Sequence, residues 1–196
     1  MKKVLIFYAT YGGGHLSAAK SIKQYIDENY KNVETQMVDC VKYVDKVFDK
    51  ITTDAYKNMA KRAPWAWKKV YDNAQEGFLG KISNDANKLM AKKMAKLFEE
   101  FEPDIVISTH PFSSQMTTIL KKKRVTNCIL ATVLTDFVSH EQWIVNHEYV
   151  DYFFVSNDNM KNLMVEENSI DKDKIYVTGI PVSERFLGNF DKEQIY

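Results

Sequence analysis

Charge of one sign, cysteine and long apolar runs are all scarce in this chain, and each scarcity removes a class of function. Lysines and arginines number 27 against 26 aspartates and glutamates, a formal net charge of +1, so no global bias points to a nucleic-acid partner. The two cysteines, Cys40 and Cys128, lie far apart with no Cys or His at metal-ligand spacing. That favours reduced cytoplasmic thiols packed as small apolar residues over a disulfide framework or a zinc site. No run approaches the roughly 18 apolar residues that a membrane span needs. The basic start Met1-Lys2-Lys3 is followed by an apolar run only from Val4 to Ala9, which passes straight into glycines; it reads as a strand, not a signal peptide. Internal repeats and low-complexity linkers are absent too. The 196 residues suit one domain with a sizeable core.

Glycine is sparse but concentrated: of seven, three stand together at Gly12, Gly13 and Gly14. Before them Val4-Leu5-Ile6-Phe7-Tyr8-Ala9 is a run of strand formers, and after them Leu16, Ala19, Ile22 and Ile26 share one helical face. The stretch therefore reads as strand, tight loop, helix. Glycines suit a loop that takes positive φ and lets a ligand approach backbone N–H groups, and the helix N-terminus adds unpaired donors and a positive dipole end. His15 falls in the first turn of that helix, where the dipole favours neutral imidazole, a form able to act as a general base. Spacing alone leaves open a second role, as a cap of the loop. The loop is neither G-x-G-x-x-G, because Ser17 stands at the last glycine position, nor a Walker A loop.

Further along, 33–38 is a short strand ending at Asp39, an acid placed where a dinucleotide-binding fold would hold a ribose; a nicotinamide cofactor stays open as a rival that the glycine pattern disfavours. Helical spacing runs over 41–62 and Pro64 ends it. Around it lie Lys57, Lys61, Arg62, Trp65, Trp67, Lys68, Lys69 and Tyr71 without an acid among them. Interleaved aromatic and basic residues suit an anionic membrane surface. The alternative is tryptophans packed in the core beside solvated lysines. A helix over 84–101, a fully buried strand over 105–109, a helix to 123, a strand over 128–134, a strand over 152–155, a helix over 158–167 and a strand over 175–177 complete the alternation. The fold class is α/β, with a doubly wound, mostly parallel Rossmann-like sheet.

Ligands of such folds bind outside the carboxyl ends of the strands. The loops meeting there carry Gly12 to His15, Thr109-His110-Pro111, Thr135-Asp136-Phe137 with His140 and Trp143, Ser156-Asn157-Asp158, and Gly179-Ile180-Pro181. Asp136 directly after a buried strand needs a partner, so it orients a histidine or caps a turn. His15, His110, His140 and Asp136 show no chelating spacing, so no metal is expected. Ser17 does not stand inside G-x-S-x-G, which speaks against a serine hydrolase.

Four motifs in order, Tyr11-Gly12-Gly13-Gly14-His15, Pro103-Asp104-Ile105-Val106-Ile107, Thr135-Asp136-Phe137-x-x-His140-x-x-Trp143 and Thr178-Gly179-Ile180-Pro181-Val182, together resemble the N-terminal domain of the diacylglycerol glycosyltransferases. That family includes the bacterial processive diacylglycerol glucosyltransferases and the plant monogalactosyldiacylglycerol synthases. It is related more distantly to the lipid-linked enzyme that adds N-acetylglucosamine during peptidoglycan synthesis.

The resemblance implies the N-terminal half of a GT-B glycosyltransferase that moves a sugar from a UDP-sugar to the 3-hydroxyl of diacylglycerol with inversion. His15 is then the general base. Gly12, Gly13, Gly14, His110, Asp136, Phe137, His140 and Trp143 surround the lipid acceptor, and Lys61, Arg62, Trp65, Trp67, Lys68 and Lys69 dock on anionic lipid at the cytoplasmic face of a membrane. Residues 1–182 form the acceptor-binding domain, and 183–196 begin the linker to a nucleotide-sugar-binding domain. No cofactor is implied beyond the UDP-sugar donor, bound mainly by that second half. Because GT-B chemistry takes place between two domains, this chain alone is expected to show no appreciable transfer. A non-catalytic lipid-binding module is the alternative function.

Overall fold

A computed structural model describes residues 1–10, 13–44, 84–138 and 140–186, with the backbone alone for 84–92 and 185. The described elements are β1 (Lys2–Tyr8), α1 (Gly14–Asn29), β2 (Val33–Asp39), α2 (Cys40–Val44), α3 (Asn84–Phe101), β3 (Ile105–Ser108), α4 (Pro111–Lys122), β4 (Ile129–Val133), β5 (Tyr152–Val155), α5 (Asp158–Glu166) and β6 (Ile175–Val177). Short 3₁₀ turns fall at Glu141–Trp143, His147–Tyr149, Lys172–Lys174 and Glu184–Phe186. The six strands form one sheet in the order β2-β1-β3-β4-β5-β6, and every pair is parallel.

Side chains alternate between the two faces of a strand, and β1 divides accordingly. Leu5 and Phe7 enter the larger core with Val106, Leu130, Phe153, and the inward residues of α3, α4 and α5. Val4 and Ile6 enter a smaller core beneath α1, with Ala19, Ile22 and Ile26. Leu5, Ile6 and Phe7 are wholly inaccessible, each contributing about 1.5–3 kcal/mol by leaving water. The helical spacing read from α1 and from Met94, Leu97 and Phe98 of α3 is thus the spacing that packs.

One expectation changes, and one disfavoured rival loses its support. Strand β3 is not fully buried: Val106 and Ser108 are, but Ile105 and Ile107 are half-buried. The cause is that α1 is the one described helix packed in the core on that face, and it lies over β1, β2 and the edge of β3; Ile129 of β4 is 43% exposed for the same reason. Asp39 is also spoken for. Its carboxylate accepts from the N–H groups of Val41 and Lys42 at 3.2 and 3.1 Å and from the Thr10 hydroxyl, so it caps α2 and closes the turn where a ribose would have to bind.

The helical reading over 41–62 begins as α2 and then leaves the described residues, as do the basic aromatic stretch with Lys61, Arg62, Trp65, Trp67, Lys68 and Lys69, and Tyr11 and Gly12 of the glycine loop. Among the described residues no helix is long and apolar enough to cross a membrane.

Candidate functional site

His15 is the second residue of α1, half-buried where β1, β3 and β4 end. Its Nδ1 lies 2.6 Å from the Thr109 carbonyl oxygen and 2.8 Å from the Thr135 hydroxyl. Thr109 is itself held by its N–H to the Phe7 carbonyl at 3.0 Å, and its hydroxyl lies 3.0 Å from both the Phe7 and the His15 carbonyls. Burial pushes the imidazole below its ordinary value of 6.5; the Thr109 bond and the Asp136 charge oppose that shift, and His140 adds to it. A neutral ring follows at neutral pH. No described side chain caps the start of α1, and its first turn holds no acid, so its amide donors remain available to a ligand.

Of the two reasons that the sequence gives for the glycines, positive φ fails at Gly13 and Gly14 and ligand approach remains. Gly13 has φ −82°, and positive φ among the described glycines occurs at Gly179 alone, at 78°. A Cβ on Gly13 or Gly14 would meet nothing within 4 Å. Neither position is required by backbone conformation or by packing inside the chain. What the absence of side chains leaves is open space in front of the helix N-terminus, beside His15.

His110 caps α4: its Nδ1 accepts from the Phe112 N–H at 3.2 Å. Its ring meets the His15 ring edge-on, with centroids 4.7 Å apart. Burial, and secondly the neighbouring His15, hold it well below 6.5. Behind it, α4 is buried on nearly all sides despite Ser113, Ser114, Gln115, Thr117 and Thr118. Those side chains are satisfied: Ser113 by Ser108 at 2.5 Å, Ser114 by Thr132 at 2.9 Å, Gln115 by the Gln142 carbonyl at 2.8 Å, and Thr117 and Thr118 by carbonyls in the preceding turn. Buried polar groups are tolerated when paired in this way.

Asp136 sits one residue beyond Thr135 and accepts the Trp143 indole N–H at 2.7 Å, with His140 Nε2 at 3.5 Å. Burial raises its carboxyl, but the hydrogen bonds from His140 and Trp143 outweigh that and hold it below the ordinary carboxylate value. Trp143 is only 1% exposed. It reaches the cleft through Asp136 and through its ring, 6.3 Å from His15 and 6.0 Å from His140. Ser156 and Asn157 donate to the carbonyls of Asp136 and Phe137 at 3.1 and 3.2 Å. On this pinned loop Phe137 and Val138 remain 75% and 62% exposed.

The structure thus brings His15, His110, Asp136, His140 and Trp143 into one cluster, with Gly13 and Gly14 at its mouth and Phe137 at its rim. Among the described residues no three His, Cys, Asp or Glu side chains converge as a metal site. Sequence reasoning passed over Thr109 and Thr135 as individual residues. Their signal was position: Thr109 directly follows β3 and Thr135 stands two residues beyond β4, at the end where ligands bind.

The family described as monogalactosyldiacylglycerol (MGDG) synthase matches residues 15–182. Processive diacylglycerol beta-glucosyltransferases are similar along the chain. That of Bacillus licheniformis is 27% identical over all of this chain and 49% of its own length; that of Bacillus cytotoxicus is 31% identical over 99% of this chain and 48% of its own. The chain therefore spans about half the length of these curated relatives. A solved lipopolysaccharide outer core galactosyltransferase, WaaB, superposes with a TM-score of 0.57 over 90% of this chain and 45% of that one, at 18% identity. This likeness concerns the fold, the Rossmann-like half of the GT-B architecture.

Proposed function

Because this chain belongs to the monogalactosyldiacylglycerol synthase family, we propose that it is the acceptor-binding domain of a glycosyltransferase that moves a sugar from a UDP-sugar to diacylglycerol. The observation that carries the reading is a neutral His15 beside open space at an uncapped helix N-terminus. In the reaction His15 takes the proton of the acceptor hydroxyl. The oxygen lone pair forms the new bond to the anomeric carbon as the bond to the diphosphate oxygen breaks, and UDP leaves with that electron pair. Positioned general-base catalysis of this kind contributes about 10² to 10⁴ in rate.

Residues 1–182 are the domain that holds the acceptor, with Gly12, Gly13, Gly14, His110, Asp136, Phe137 and His140 around it and Trp143 behind Asp136. Residues 183–196 lead toward a second half that binds the donor. The protein works as a peripheral enzyme at the cytoplasmic face, docked through Lys61, Arg62, Trp65, Trp67, Lys68 and Lys69. Support comes from the names of the relatives, which act on diacylglycerol.

The test supplies the chain with the C-terminal half of the Bacillus cytotoxicus relative, UDP-glucose or UDP-galactose, and vesicles containing diacylglycerol. Glycolipid formed by the pair, absent with this chain alone, and lost on His15→Ala while vesicle binding persists, is the expected result. Equal loss of binding and turnover makes His15 an anchor, and turnover by this chain alone refutes the half-enzyme reading.

A further inference from the structure

We propose that Thr135 is a positioning residue for His15: its hydroxyl oxygen and the Thr109 carbonyl share the proton on Nδ1, which leaves the lone pair on Nε2 as the basic nitrogen of the site. The use of that nitrogen rests on the function proposed above; the proton placement does not.

A carbonyl oxygen has no proton to give. Its 2.6 Å approach to Nδ1 is attractive only if Nδ1 carries the hydrogen, because two facing lone pairs at that distance repel. A neutral imidazole with its proton on Nδ1 has none on Nε2. The Thr135 hydroxyl, 2.8 Å from the same nitrogen, then serves as a second acceptor for one donor. Its place is fixed, because the preceding residue, Leu134, is inaccessible and gives its N–H to the Phe154 carbonyl at 2.9 Å. Both oxygens that face Nδ1 come from the ends of β3 and β4, so the ring's orientation is set from the strands.

His110 supplies the contrast. Its Nδ1 accepts an N–H, so its proton is on Nε2, and two imidazoles 4.7 Å apart hold opposite tautomers. When His15 takes up a second proton at Nε2, the Nδ1–H already faces two oxygens, and these stabilise the imidazolium. Among the described residues the other titratable groups facing the ring are Asp136 and His140, from the segment after β4, and His110 at the start of α4. Replacing Thr135 leaves all three groups in place and removes one acceptor.

The experiment is ¹⁵N-edited NMR of the imidazole nitrogens across pH, on this chain as it stands, for wild type, Thr135→Val and Thr135→Ser. In wild type the neutral His15 should be protonated on Nδ1 and His110 on Nε2. Thr135→Val should lower the proton affinity of His15 about fivefold, because the bond to Nδ1–H is stronger when the ring is charged than when it is neutral, and Thr135→Ser should restore it with His110 unmoved. A wild-type His15 protonated on Nε2 overturns the proposal, and so does a Thr135→Val titration that coincides with wild type. Should Thr135→Val unfold, the wild-type tautomer decides alone. An Nδ1-protonated His15 in a chain that supports no lipid glycosylation would refute the function and leave this placement standing.

Discussion

Thr109 grips His15 at both ends: its carbonyl oxygen is 2.6 Å from Nδ1 and its hydroxyl is 3.0 Å from the His15 carbonyl oxygen. One residue at the end of β3 thereby sets both the first turn of α1 and the plane of its imidazole. Thr109→Val removes the hydroxyl and keeps the carbonyl. It should cost about 1 kcal/mol, read as a lower urea midpoint, while the His15 tautomer seen by NMR stays unchanged.

Acid should weaken the fold well before the carboxylates titrate. His15 and His110 are both held below 6.5 by burial, so as pH falls through 6.5 the unfolded chain takes up protons that the folded chain refuses. Stability is then complete above that value and declines below it, toward the lower folded-state values. Urea midpoints at pH 7.5 and 5.5 should show the drop. His110→Asn, which keeps a good N-cap for α4, should flatten it.

Trp143 should matter more through its indole N–H than through its area. Trp143→Phe leaves the half-buried Asp136 without its 2.7 Å donor, with His140 at 3.5 Å as the carboxylate's other side-chain partner among the described residues. The expected cost is about 2 kcal/mol for a hydrogen bond to a charged group. In an Asp136→Asn background the same change should cost less, and a double-mutant cycle by urea denaturation measures the difference.

Membrane docking is assigned to residues outside the described part of the chain and is tested directly. Co-sedimentation with anionic vesicles containing diacylglycerol should be salt-sensitive. Lys68→Ala with Lys69→Ala should weaken it about thirtyfold, at about 1 kcal/mol per lysine, and adding Trp65→Ala and Trp67→Ala should abolish it. Unchanged binding would return those tryptophans to the core.

The elements were readable because their signals are local. The apolar run from Val4 to Ala9 and the 3.6-residue spacing of Ala19, Ile22 and Ile26 are set within a few residues, and both appear in the fold as read. Helix α4 was located from its boundaries, but Ser113 to Thr118 gave no hint that it is buried on nearly all sides. Their partners Ser108 and Thr132 lie on strands, and Gln142 lies in a later turn. Asp39 left a ribose role open, as a rival the glycine pattern disfavours, because an acid at a strand end has two uses; the Thr10 hydroxyl and the start of α2 take the carboxylate for the other one.

By itself, then, the sequence determined an alternating α/β chain, the strand, glycine loop and helix at its start, and the family motifs at the strand ends. Only the tertiary structure decided that burial adds to the helix start in keeping His15 neutral, that Thr109 and Thr135 face its Nδ1, that Trp143 is enclosed with its indole N–H on Asp136, and that α1, on its sheet face, lies over β1, β2 and the edge of β3. The reason is that burial and hydrogen-bond partnership join segments remote in the chain: the groups facing His15 Nδ1 come from 94 and 120 residues away, where no local periodicity reaches.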